Sequence, residues 1–68
     1  MKKILFIEGM MCGHCAAHVE RALNSLPGVR AKVELGQKCA IVESAEILDE
    51  ETLKETVRNA GYEVVAIQ

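Results

Sequence analysis

Cys12 and Cys15 lie three positions apart in Gly9-Met10-Met11-Cys12-Gly13-His14-Cys15, where an apolar run ends and a helical pattern begins. Two thiols at that spacing can turn toward a single point when a loop enters a helix, and the helix dipole favours their negative charge. Thiolate selects soft ions such as copper(I), and it also binds zinc, so the pair reads as a soft-metal clamp at a helix N-terminus. The same spacing serves thioredoxin-like redox pairs, and two cysteines can also be small core residues. A redox framework of that kind needs a larger βαβ body, and here Pro27, the one proline, stands after the first helix rather than late in the chain.

Other residues could join this chemistry. Cys39 is a possible third ligand, but within a strand-like run a lone cysteine usually behaves as a small hydrophobe. Iron–sulfur clusters ordinarily take four thiolates, and the chain has three cysteines. His14 and His18 suggest a mixed zinc site with the two cysteines. His14 stands next to Cys15 and points away from it around a helix, by some 100° per residue, which strains a single site using all four. Met10 offers a thioether, although an unbranched side chain beside a loop more often fills space beneath it.

The elements that must hold the thiols follow from periodicity. Ile4 to Glu8 reads as a strand ended by Gly9. From Gly13 to about Leu26, Ala16, Val19, Leu23 and Leu26 recur at helical spacing, with Glu20, Arg21 and Asn24 expected on the solvent side. Pro27-Gly28 stops that helix, and Val29, Ala31, Val33 and Leu35 alternate with Arg30, Lys32 and Glu34 as a half-buried strand. Gly36-Gln37 suits a tight two-residue hairpin, pairing Lys38 to Glu43 antiparallel with the preceding strand. A second helix has Asp49 as N-cap, Leu48 packed on Leu53 as a hydrophobic staple, and a stripe of Leu53, Val57 and Ala60. Gly61 ends it, and Tyr62 to Ile67 forms the last strand. The order β-α-β-β-α-β, with one apolar stripe per helix, predicts an α+β open-faced sandwich: a four-stranded antiparallel sheet with both helices on one face.

Sixty-eight residues, half of them apolar, suit one small globular domain spanning 1–68. A formal charge of −2, an acidic pI near 5.6 and only one Phe and one Tyr argue against nucleic acid as a partner. Lys2-Lys3 followed by Ile4 to Ile7 imitates a signal peptide, but Glu8 cuts the apolar run short of a secretory or membrane-inserting segment. An odd cysteine count, with two too close to staple distant segments, points to a reducing compartment, so the expected location is the cytoplasm. The acidic group Glu46, Asp49, Glu50 and Glu51 is explained by the start of the second helix.

Taken together, the Gly9-Met10-Met11-Cys12-Gly13-His14-Cys15 run, Leu23, the Leu26-Pro27-Gly28-Val29 turn and the late Gly61-Tyr62 resemble the heavy-metal-associated domain of copper chaperones and copper-transporting ATPases. The resemblance covers essentially the whole chain and implies a ferredoxin-like fold. It places the family's metal ligands on Cys12 and Cys15 and its buried, loop-supporting methionine on Met10. Tyr62 matches the position beside the metal loop where bacterial copper chaperones often carry tyrosine. Met11 stands where the family often has Thr or Ser, and where zinc-type relatives often have Asp. The resemblance thus implies a non-enzymatic copper(I) carrier that hands its ion to a copper-transporting ATPase or a copper-sensing repressor, with a metal-bridged homodimer as a further possibility. Two thiolates complete a near-linear copper(I) site, whereas zinc prefers four ligands. Silver(I) and mercury(II) share copper's softness. A zinc- or mercury-binding domain of the same family, and a small dithiol oxidoreductase, are the alternatives.

Overall fold

The computed structural model describes residues 1–10, 13–47 and 49–68. The elements run β1 (Lys2–Glu8), α1 (Gly13–Asn24), β2 (Val29–Glu34), β3 (Cys39–Ser44), α2 (Glu50–Asn59) and β4 (Glu63–Ile67). The four strands form one antiparallel sheet in the order β2-β3-β1-β4. This is the expected open-faced sandwich, and the register explains how its faces differ.

Leu5 lies opposite Ala40, which lies opposite Val33, and Val42 lies opposite Ala31. Because successive side chains alternate across a sheet, these residues and Ile7 share one face. On that face they join Val19 and Leu23 of α1 and Leu53 and Val57 of α2 in one buried core. The other face carries the rows Glu34–Cys39–Phe6 and Lys32–Ile41–Ile4, where Phe6, Ile4 and Ile41 are only half-buried. Burial of the first set supplies the main driving force for folding, at roughly 25 cal/mol per Å² of apolar surface.

Turn chemistry fixes the connections. Val29 donates its N–H to the Leu26 carbonyl at 3.2 Å, with Pro27 and Gly28 at the centre and Gly28 at φ +72°. That is a type II turn, whose third residue needs positive φ. Asp49 caps α2, its carboxylate accepting the Glu51 N–H at 3.0 Å and the Thr52 hydroxyl at 3.1 Å. At the other end Tyr62 N–H reaches the Val57 carbonyl at 3.2 Å and Gly61 N–H the Arg58 carbonyl at 3.0 Å. These two bonds define a Schellman motif with Gly61 at φ +100°. The expected staple onto Leu53 involves Leu48, which lies outside the described residues.

Three expectations are corrected. The helix pattern that extended to Leu26 gives way after Asn24, and Leu26 instead packs against the core from the turn. In the hairpin, Lys38 donates to the Leu35 carbonyl at 3.1 Å around Gly36 and Gln37, but the left-handed residue is Lys38 at φ 55°, not Gly36. The turn is therefore not of the primed two-residue kind, and the strands stop at Glu34 and resume at Cys39. Finally, Glu20 and Asn24 do not simply face solvent. Glu20 accepts the Val33 N–H at 3.1 Å, and Asn24 bonds to Ala31, so both close the free edge of β2.

β1 runs toward the thiol-bearing loop, so the ends of the antiparallel elements gather there. The C-terminal end of β1, the β2–β3 hairpin and the start of β4 all lie at this end of the sheet. In β4, Val65 is an extra residue between the pairs Phe6–Ala66 and Ile7–Val64, a bulge that bends the edge strand next to it.

Candidate metal centre

Gly9 ends β1 at φ +96°, a conformation that β-carbon-bearing residues rarely adopt. The chain then turns inward: Met10 is 1% exposed and belongs to the core. This is where the resemblance puts its supporting methionine. Met11 and Cys12 lie outside the described residues. Gly13 begins α1, so Cys15 occupies its third position and is half-buried in the first turn. There the unsatisfied helix N–H groups and the positive end of the dipole favour a thiolate.

Tyr62 stands against the end of β1. The Schellman turn at Gly61 delivers it out of α2, and its ring lies against Gly9 so closely that a Cβ there would meet Tyr62 Cδ1 at 3.3 Å. The ring also packs on the core and meets His18 edge-on, with centroids 6.3 Å apart and planes at 80°. Tyr62 thus links the end of β1 to α1 one turn beyond Cys15. Met10 follows β1, Cys15 lies in the first turn of α1 and Tyr62 stands between α2 and β4, and the three gather at one end of the sheet.

The remaining candidates separate from them. Cys39 begins β3 and is 2% exposed, yet it stands in the Phe6 and Glu34 row on the helix-free face. The sheet lies between it and α1. Burial, followed by the charge of Glu34, raises its thiol pKa above the ordinary 9.0. Its Sγ lies 3.9 Å from Gln37 Oε1. A thiol held protonated in this way makes a poor ligand, since metals bind the thiolate. His14 and His18 are both exposed on α1, and among the described residues no three His, Cys, Asp or Glu side chains gather to hold an ion. His14, Cys15 and His18 do not form one site.

The heavy-metal-associated domain model matches residues 4–63. The chain belongs to the heavy-metal-associated domain family. Over 67 residues the domain is 36% identical to the copper chaperone CopZ of Staphylococcus aureus, covering 94% of this chain and 97% of the chaperone. Over 59 residues it is 48% identical to a copper-exporting P-type ATPase of Mycobacterium tuberculosis, covering 87% of this chain but spanning only 8% of the ATPase. Among solved structures, a CopZ metallochaperone superposes with a TM-score of 0.88 at 37% identity, covering 96% of this chain and all of that one. A copper-binding domain from the P-type ATPase HMA7 superposes with a TM-score of 0.84 at 36% identity, covering 100% of this chain and 99% of that one. No helix among the described residues is long and apolar enough to cross a membrane.

What sequence reasoning missed near the site is the Gly9–Tyr62 contact. The glycine was legible as the end of a strand, whereas the ring that sits on it comes from more than fifty residues away.

Proposed function

We propose that residues 1–68 act as one copper(I)-carrying unit, in which Cys12 and Cys15 bind the ion as thiolates and pass it to a partner. The observation that carries this reading is the near full-length similarity to a copper chaperone, together with the position of Cys15 in the first turn of α1. Met10 anchors the loop from beneath and Tyr62 shields it from the side. The two thiolates suffice for copper(I) and leave zinc under-coordinated.

Transfer follows from low coordination. A two-coordinate ion at the exposed end of the sheet accepts a third thiolate from a docking protein, passes through a shared intermediate and leaves without becoming free. The ligand count rises to three and returns to two, and each incoming thiol gives its proton to water while each departing thiolate takes one back. No catalytic acid, base or nucleophile is needed, so the proposed role is not enzymatic. The partner of first choice is the metal-binding domain of a copper-transporting P-type ATPase, and a copper-responsive repressor is the second. Similarity to an ATPase segment supports an equivalent reading, in which this unit receives copper as the ATPase's own domain. Either role places the unit in the cytoplasm.

Competition against a strong copper(I) chelator under strict reduction tests the assignment. Cys12→Ser and Cys15→Ser are each expected to lose tight copper(I) binding while circular dichroism retains the native helix content. A single variant that competes as well as the wild type would overturn the ligand assignment.

A further inference from the structure

We propose that His14 and His18 form a second metal site, for a borderline divalent cation such as zinc(II), on the outward face of α1. This reading stands apart from the assignment of Cys12 and Cys15 and does not rest on it.

The spacing is the starting point. Residues four apart on a helix face the same way with Cβ atoms about 5–6 Å apart. Two imidazole nitrogens at that separation can reach one ion at about 2.0–2.1 Å. Both histidines are exposed, and together they line a shallow concavity of about 180 Å³. Ala17, with only a methyl group, and Arg21 complete its lining. Both histidines therefore border space that an ion and its water can enter.

Tyr62 supplies a second, independent feature. Its edge-on contact restrains the His18 ring, and Tyr62 is itself packed on the core. One of the two ligands is thus partly ordered before any ion arrives, which reduces the entropic cost of chelation.

Chemistry separates this site from the thiolate loop. Imidazole suits zinc(II), nickel(II) and copper(II), and because thiolates take zinc as well as copper(I), the two sites are told apart by filling or removing the thiols first. Cys15 does not gather with the two histidines into a three-ligand group. Two protein nitrogens leave the other positions to water, so the ion exchanges quickly. The Arg21 guanidinium repels a cation and keeps the affinity modest. One helix would then carry a soft site at its first turn and a borderline site on its outward face.

Zinc(II) titration of the reduced protein, loaded beforehand with one equivalent of copper(I) to occupy the thiolates, tests this by calorimetry and by the histidine ring-proton resonances. One zinc per chain is expected, with both histidines shifting together. His14→Ala and His18→Ala should each weaken uptake by about tenfold or more, a full decade in Kd. Arg21→Gln should tighten it about threefold by removing a like charge near the ion. The same titration in the Cys12→Ser/Cys15→Ser double variant keeps the result independent of copper loading, and the zinc equivalent should persist there. Absence of zinc uptake in both backgrounds, or uptake unchanged in the His14→Ala/His18→Ala double variant, would overturn the site.

Discussion

Asn24 grips Ala31 at both polar groups of its backbone: the side-chain oxygen accepts the Ala31 N–H at 2.9 Å, and the side-chain amide donates to the Ala31 carbonyl at 3.1 Å. The same amide reaches the Glu20 carbonyl at 2.9 Å, and Glu20 in turn accepts from Val33. Helix α1 thereby supplies β2 with the partners that a further strand would otherwise give. An edge with unpaired backbone groups invites association with other chains, so this contact stabilises the sheet and guards it together.

Asn24→Ala should lower stability by about 1–2 kcal/mol, the usual range when a hydrogen-bonded backbone group loses its partner. Urea unfolding should show a lower midpoint with an unchanged slope, while copper(I) affinity stays at the wild-type value. A slope that falls would point instead to a looser native state.

Gly9→Ala should destabilise the fold by about 1–3 kcal/mol, because alanine at φ +96° is strained and its methyl crowds the Tyr62 ring. Adding Tyr62→Ala should relieve only the crowding. A double-mutant cycle by thermal or urea unfolding separates the two parts, and full additivity would deny the contact.

Cys39→Ala should cost up to about 1 kcal/mol for one buried sulfur and leave copper(I) affinity unaltered. The raised thiol pKa adds a pH signature. The folded state holds this proton at pH values where the unfolded chain has begun to release it, so the unfolded state binds fewer protons. The contribution is complete below the ordinary pKa of 9.0 and is lost as pH rises through the folded-state value. Stability measured from neutral to alkaline pH should therefore fall more steeply for the wild type than for Cys39→Ala. Parallel profiles would refute the assignment.

Met11→Asp should strengthen zinc-type binding at the thiolates and leave copper(I) nearly indifferent, because the carboxylate adds a hard oxygen ligand beside Cys12. Cobalt(II), standing in for zinc, reports thiolate ligation through sulfur-to-metal charge-transfer absorption. An unchanged cobalt titration would show that the position beside Cys12 does not set selectivity.

The parts of the fold that were legible rest on local rules. Asp49 and Gly61 mark the limits of α2 because capping needs only neighbouring backbone groups, and alternation from Val29 to Val33 identifies a strand with one buried face. The burial of Met10 and the place of Cys15 at the start of α1 were legible for the same reason, since both lie within seven consecutive residues where a strand gives way to a helix. What escaped depends on contacts between distant segments. Helical periodicity places Asn24 beside the apolar stripe but cannot reveal that an edge strand will lie there. Likewise Gly36 is the residue best suited to positive φ, yet the turn puts Lys38 in that conformation, between Leu35 and the buried Cys39. Tyr62 could be matched to a family position, but its seat on Gly9 required the sheet to bring β1 and β4 together.

The strand directions also decide how such a unit can be joined to others. Lys2 begins β1 and Ile67 ends β4, and Ile4 and Gln68 exchange both backbone hydrogen bonds at 2.8 Å. Both ends of the fold therefore emerge side by side, across the full length of the sheet from Gly9 and Tyr62. A tether attached at either one trails behind the loop instead of crossing it. Units of this shape can be strung like beads on a flexible cord, each with its Gly9–Tyr62 end turned away from the cord.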